Sequence, residues 1–446
     1  MAAKSFGRLL LKALGVLAFC AVSAYALFLS YGYNYDLSQR HLQKTSIIDI
    51  TPKYSDLRIF LDDRFLGNNL PFQIKDVMPG AYRLSIEKNG FVPWKRILPV
   101  QTDFVTKVED VLLVPTDMTS AIRQLGHFDP LSRFFLGRDS LVVMVPTQKY
   151  FTLVSFLDKG TLKEEEIQLS RSNIQDISLY PAERFLVTFD DGTFQWINFP
   201  RAQFIDFTPP AGFSALMVSP DEDVFYFLVA GNLYRVPFVQ ADKLDQKNLD
   251  TYKVRSFVDA FSLGQDTIEY LSNGMLFAGK TDGKNVRLWD RSFGHFSSLF
   301  VVHGKNTSYL ILGDGKNRRL LFLLGPAGKP VRLLTEQLQG DIFLDDQDRV
   351  LYRIGTGQVF AYQPARDKTV IVTQLESSED LLGWFGSTGH FLFTRDGKVQ
   401  VADLPFTNVS PLMDFDAQTQ YFVKDAALFS LNNGRIKVLY WLANLF

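Results

Sequence analysis

The chain has 446 residues, 46% of them hydrophobic, with 47 basic and 48 acidic side chains. Such a length exceeds one ordinary compact domain and points to two or three domains, or to a repeat architecture. The balanced charge offers nothing to track a nucleic-acid backbone, and a single cysteine, Cys20, excludes an internal disulfide and any cysteine-clustered metal site.

At the amino terminus, Lys4, Arg8 and Lys12 precede a run without charge from Ala13 to Tyr31. As a helix this run covers about 28 Å, close to the hydrocarbon thickness of a bilayer. Tyr25, Tyr31, Tyr33 and Tyr35 crowd its far end, where amphipathic rings prefer the interface. The basic residues come first, so residues 1–12 are expected in the cytoplasm and everything after about residue 35 outside it. Ala24-Tyr25-Ala26 fits a signal-peptidase site, but the apolar run continues through Leu27, Phe28 and Leu29. That is longer than a usual signal core, which favours an uncleaved transmembrane anchor over a cleaved leader. Phe19, immediately before Cys20, argues against a lipid-bearing cysteine.

Residues 36–46 read as a connector, and regular structure starts at Ser46. Leu57, Ile59 and Leu61 alternate with Arg58, Phe60 and Asp62, as a strand does, and Asp62-Asp63-Arg64 turns the chain. Tyr82, Leu84 and Ile86 alternate with Arg83, Ser85 and Glu87 between a Pro79-Gly80 turn and Asn89-Gly90. Short strands and tight turns continue to about residue 116 with no helical period. This is enough chain for one small sandwich and too little to enclose an active site. Phe91 and Trp94 are expected in its core or at its contact with the rest of the chain.

The ordered set Leu61 to Gly67, Leu70-Pro71, Pro79-Gly80-Ala81 and Gly90-Phe91 resembles the PEGA domain, a small extracytoplasmic β-module. Two positions depart from that pattern: Leu70 stands where threonine is common and Asp56 where a small residue is usual. The resemblance, over residues 47–116, implies an attachment or spacing module without catalytic residues.

From about residue 117 to 446 the chain repeats itself. The stretches 180–200, 219–238, 345–364 and 387–405 share one grammar: polar turn, strand, glycine-tipped hairpin, strand. Looser copies stand at 129–144, 264–280, 304–324 and 424–441. Most of the polar turns lie about 40 residues apart, the period of a four-stranded propeller blade. Gly192, Gly231, Gly274, Gly357, Gly397 and Gly434 supply the residue each hairpin tip needs. The forty phenylalanines and seventeen tyrosines suit such an all-β chain. Eight units favour eight blades, and seven stay open if 129–144 is only a linker pair. Thr119 to Leu125 is expected to supply the outer strand of the last blade, and Asp158 to Glu166 to be a charged loop. "SPDED" at 219–223 and "VRLWD" before Gly294-His295 resemble WD40-like repeats, and the copies diverge from one another.

Chemistry is sparse. His41, His127, His295, His303 and His390 stand in no metal-ligand spacing and read as surface or turn histidines. The aspartates in "DIFLDDQD" (341–348) lack the glycine and late glutamate of an EF-hand, so a solvated inter-strand turn is the expectation. "KEEE" (163–166) reads as a charged exposed loop. Asn306-Thr307-Ser308 and Asn408-Val409-Ser410 fit glycan-acceptor triplets at close to chance frequency. No catalytic, cofactor-binding or metal residue is assigned.

The expected architecture is all-β: a transmembrane helix, a small PEGA-like sandwich and a propeller. The expected role is a membrane-anchored, non-catalytic platform in a cell envelope, with a protein or glycan partner at a propeller face and no nucleic acid. Two alternatives remain open at this point: a propeller hydrolase or lyase acting on envelope polymers, and a structural subunit of an envelope assembly.

Overall fold

In a computed structural model of the chain, the described residues are 2–440 less 31, 37–40, 53, 69–70, 103, 110, 119–121, 130, 137–139, 157–161, 181, 220–222, 245–247, 264–266, 274, 281–286, 293–295, 315–317, 325–329, 386–388, 405–407, 425–426 and 433–434; before residue 14, and at scattered strand positions, the backbone alone is described.

Helix α1 covers Ala2–Ser30. Its described side chains, residues 14–28, are almost all apolar and exposed on every face of the helix. Those fifteen positions cover about 22 Å, less than the hydrocarbon thickness. Among the described residues, no helix is long and apolar enough to cross a membrane, so the expected span is not met within them.

Strands β1 (Tyr33–Asp36) and β2 (His41–Lys44) form an antiparallel pair where a plain connector was expected. A three-stranded sheet follows, with β3 (Ser46–Ile50) between β6 (Phe72–Val77) and, in parallel, β9 (Val105–Val108). A four-stranded sheet carries β4 (Arg58–Leu61), β5 (Arg64–Gly67), β7 (Gly80–Glu87) and β8 (Trp94–Val100) in the order β5-β4-β7-β8. Alternation works as expected: Ile48, Ile50, Ile59, Leu84, Ile86, Trp94 and Leu98 meet in one core between the sheets. Asp62 and Asp63, with φ of 47° and 64°, make the turn between β4 and β5. The Asp62 carboxylate accepts the Arg83 N–H at 2.7 Å, tying that turn to the next strand.

Strand β10 (Ile122–His127) leads into eight four-stranded antiparallel sheets. Sheets 1 to 7 take residues 133–168, 174–207, 213–256, 260–292, 298–335, 338–374 and 381–414, each with strands in chain order. Sheet 8 joins the last three strands, 420–440, to β10 on its outer edge. The strand that closes the succession therefore comes from the start of the repeat region, as expected.

Each sheet buries one face on the next. Ile177, Phe185 and Val187 of sheet 2 pack on Val142, Phe151 and Leu153 of sheet 1, and Trp196 and Phe207 of sheet 2 pack on Phe225 and Phe227 of sheet 3. The pattern continues to sheet 8, where Phe429, Ile436 and Val438 pack on Leu141, Val143 and Val154 of sheet 1. The succession closes on itself as a ring. Neighbouring sheets approach through their first strands, as at Ala260–Leu263 and Ser298–His303, so first strands lie innermost.

Gly192, Gly231, Gly357 and Gly397 hold positive φ at hairpin tips, as expected; Gly274 and Gly434 lie outside the described residues. Glu164 to Glu166 are a correction. Leu162–Gln168 is the outer strand of sheet 1, paired with Tyr150–Phe156, and not a loop. An edge strand tolerates this charge because its outer face meets water.

Candidate functional site: the seam between module and ring

Four antiparallel strands alternate in direction. The first–second connections of every sheet and the third–fourth connections of sheets 1 to 7 therefore end on one face of the ring, and the second–third tips and inter-sheet connections on the other. The small module sits on the first of these faces, over sheets 7 and 8.

Its attachment begins with the chain that leaves it. The Val92 N–H donates to the Val114 carbonyl at 2.7 Å and the Thr116 N–H to the Gly90 carbonyl at 2.9 Å, so the exit segment pairs back on residues 90–92. That segment then inserts Leu112 and Val114 between sheets 7 and 8, against Phe385, Leu392, Val401, Leu428 and Leu439. A shared apolar core holds module and ring together, which a free stalk would lack.

A polar cluster flanks this core. His390 opens the second strand of sheet 7, directly opposite Asp403 at the end of the third. Both side chains are buried. The Asp403 carboxylate accepts the Asn408 backbone N–H and side-chain N–H, each at 2.8 Å. The Asn408 Oδ1 in turn accepts the Lys95 N–H of β8 at 2.9 Å. Arg96 donates to the Leu404 carbonyl and lies 3.8 Å from the Asp403 carboxylate. Burial holds the His390 imidazole down to about 4; Asp403 opposes that shift and Arg96 and Arg349 add to it. Arg349 is itself paired with Asp345 and stacks 5.1 Å from the Trp384 ring.

Trp94, Leu112, His390, Asp403, Asn408 and Ser410 line a small cavity here, of about 10 Å³. That is space on the scale of one water and far below a substrate pocket. The seam is therefore a joint. Trp94 serves it twice, in the module core and in the cavity wall.

The remaining candidates are scattered. His303 is exposed, its Nδ1 2.9 Å from the Ser308 hydroxyl. The side chains of His41 and His127, and all of His295, lie outside the described residues. Among the described residues, no group of three or more histidine, cysteine or acidic side chains is placed to hold a metal. The aspartates of 341–348 divide. Asp346 is exposed and lies 3.6 Å from the Lys305 ammonium, whereas Asp348 is buried. Its carboxylate accepts the N–H groups of Lys305 and Asn306, and its carbonyl accepts the Tyr309 hydroxyl at 2.7 Å. Asp348 thus pins sheet 5 to sheet 6, a role that local composition could not announce. Asn306 is exposed, but the Asn408 amide is engaged on both sides, so a glycan there would break the seam.

The face away from the module carries several closed charge pairs. Glu379 accepts from Arg395 at 3.0 Å and from the Glu376 N–H of the same connection at 2.8 Å. Arg171 meets Asp191 at 2.7 Å and Arg318 meets Glu336 at 3.0 Å. Phe257 interrupts this polar rim, 75% exposed and with a φ of 59°.

The PEGA domain family matches residues 45–113. These residues are a PEGA domain. Its β8 edge and its exit segment are the parts that meet the ring. A comparison with curated proteins returns no match.

Among solved structures, the chain is similar to BamB from Moraxella catarrhalis, at 12% identity and a TM-score of 0.44 over 72% of this chain and 100% of that one. It is also similar to the C-terminal WD40 domain of Sif2, at 9% identity and 0.46 over 71% and 97%. A third likeness is virginiamycin B lyase from Staphylococcus aureus, at 9% and 0.39 over 72% and 99%. These scores are low, so the propeller reading rests on this chain's own sheets and cores.

Proposed function

We propose that the chain is a membrane-anchored, non-catalytic binding platform outside the cytoplasm, an eight-bladed propeller held by its PEGA domain. One observation carries the reading: the PEGA domain is built into one face of the ring at sheets 7 and 8, leaving the far face and its rim uncovered by it. Eight successive sheets with a mutual core at each junction support the count of blades.

The exposed apolar side chains around α1 support the anchor, because such a helix needs a nonaqueous partner. Several ionic groups of the far face are paired, and the seam cavity is small; both favour recognition over reaction. The partner proposed is an envelope protein, met by a rim of mixed charge with apolar points such as Phe257.

The test is photo-crosslinking in membranes of cells making the full chain. A crosslinking residue at Phe257, on the far face, is expected to capture a discrete partner. One at Val239, exposed on the PEGA face, is the control. Equal capture at both positions, or turnover of an envelope polymer by the purified chain, would overturn the reading.

A further inference from the structure

The PEGA domain has two ends. Strand β8 enters at Trp94 beside the ring and leaves at Val100, seven residues or about 20 Å away. At that distal end the Ser46 hydroxyl donates to the Gln101 carbonyl and the Ile47 N–H meets the Phe104 carbonyl at 3.4 Å. Helix α1 reaches the same end. The Thr45 N–H and hydroxyl both donate to the Gly32 carbonyl, at 2.7 and 2.9 Å, clamping the helix exit to the start of β3.

The side chains around this exit are apolar and uncovered. Tyr35 and Leu42 face each other across the β1–β2 pair, each 45% exposed. Phe104 is 63% exposed and Val105 53%. Phe28 of α1 packs edge-on to Tyr33 at 5.9 Å, and the Lys44 ammonium lies 5.6 Å from the same ring. Exposed apolar side chains therefore continue from the helix, through the Phe28–Tyr33 contact, onto the end of the domain that the helix enters. Aromatic rings beside lysine ammonium groups suit the headgroup layer, where an apolar body and a charged tip are both accommodated.

From this continuity we infer that the distal end of the PEGA domain is itself a lipid-binding surface, with Tyr35, Leu42, Phe104 and Val105 seated among phospholipid headgroups. The domain then stands on the bilayer and sets the height of the ring above it. The inference rests on the anchor reading.

The test uses the full chain with Cys20→Ser and one new cysteine carrying an environment-sensitive dye, in vesicles of phosphatidylcholine and phosphatidylglycerol. With Phe104→Cys, emission is expected to shift to the blue and to be quenched by spin-labelled lipid. With Ile371→Cys, on an outer strand of the ring, neither change is expected. If the chain floats with the vesicles and the dye at 104 reports water, the surface is not lipid-seated and the inference falls while the anchor stands. Failure to float removes the anchor reading and the inference with it. A blue shift in detergent that grows with protein concentration would assign the surface to a second copy of the chain and overturn the inference.

Discussion

The Asn408 Oδ1 accepts the Lys95 N–H at 2.9 Å across 313 positions of sequence, and the same amide donates to Asp403 at 2.8 Å. One side chain thus joins the edge strand of the PEGA domain to a buried carboxylate of the ring. An edge strand is otherwise a row of unpaired backbone groups, and here it is partly consumed by the joint.

Asn408→Ala removes the acceptor of Lys95 and a donor to Asp403. It is expected to cost about 1–3 kcal/mol. Urea denaturation should show the loss, and amide exchange at Lys95 should rise while exchange in sheets 2 to 5 stays unchanged. Uniform acceleration across the ring would contradict a local joint.

His390 makes the joint sensitive to acid. Its folded value of about 4 lies below its ordinary value of 6.5, so between these the unfolded chain holds a proton that the folded chain lacks. The stabilisation is complete above about pH 6.5 and declines as pH falls towards about 4, by up to roughly 3 kcal/mol. In His390→Gln the urea midpoint should lose less between about pH 7 and about pH 4.5 than in the parent chain. Parallel profiles for the two proteins would remove His390 from the account.

Asp348 combines a φ of 60° with a buried carboxylate that accepts two backbone N–H groups of sheet 5. Asp348→Asn keeps one acceptor and tolerates the left-handed backbone. Asp348→Ala keeps neither advantage and is expected to cost about 2–4 kcal/mol, more than the asparagine variant. An alanine variant at least as stable as the asparagine one would show that neither the acceptor nor the left-handed backbone governs the site.

Two hairpin glycines separate strain from collision. A Cβ on Gly357 would stand 2.3 Å from the Leu375 carbonyl oxygen, whereas one on Gly397 meets nothing within 4 Å. Gly397→Ala is expected to cost about 1–2 kcal/mol, the left-handed penalty alone. Gly357→Ala should cost clearly more and weaken the pairing of residues 357 and 375. Equal denaturation midpoints would mean that the backbone at 375 yields freely.

Much of this organisation is legible in one dimension. Alternation in 82–87, the aspartate turn at 62–63 and the repeating glycine-tipped hairpins of 180–405 follow from local rules, because strand period and turn chemistry act over a few residues. The PEGA resemblance and the closure of the last sheet by an early strand were legible for the same reason. Composition misled at 163–166, where "KEEE" forms an outer strand: edge position overrides charge, and edge position is set by the partner strand.

The joint could not be read this way. Lys95, His390, Asp403 and Asn408 carry no motif, and Asn408 even resembled a glycan acceptor. Their chemistry comes from burial, which brings groups 313 positions apart within hydrogen-bond distance and shifts an imidazole by desolvation. Strands, turns and the repeat follow from neighbours along the chain. The face of the ring that the PEGA domain occupies follows instead from long-range packing of Leu112 and Val114 between two sheets, which no local pattern encodes.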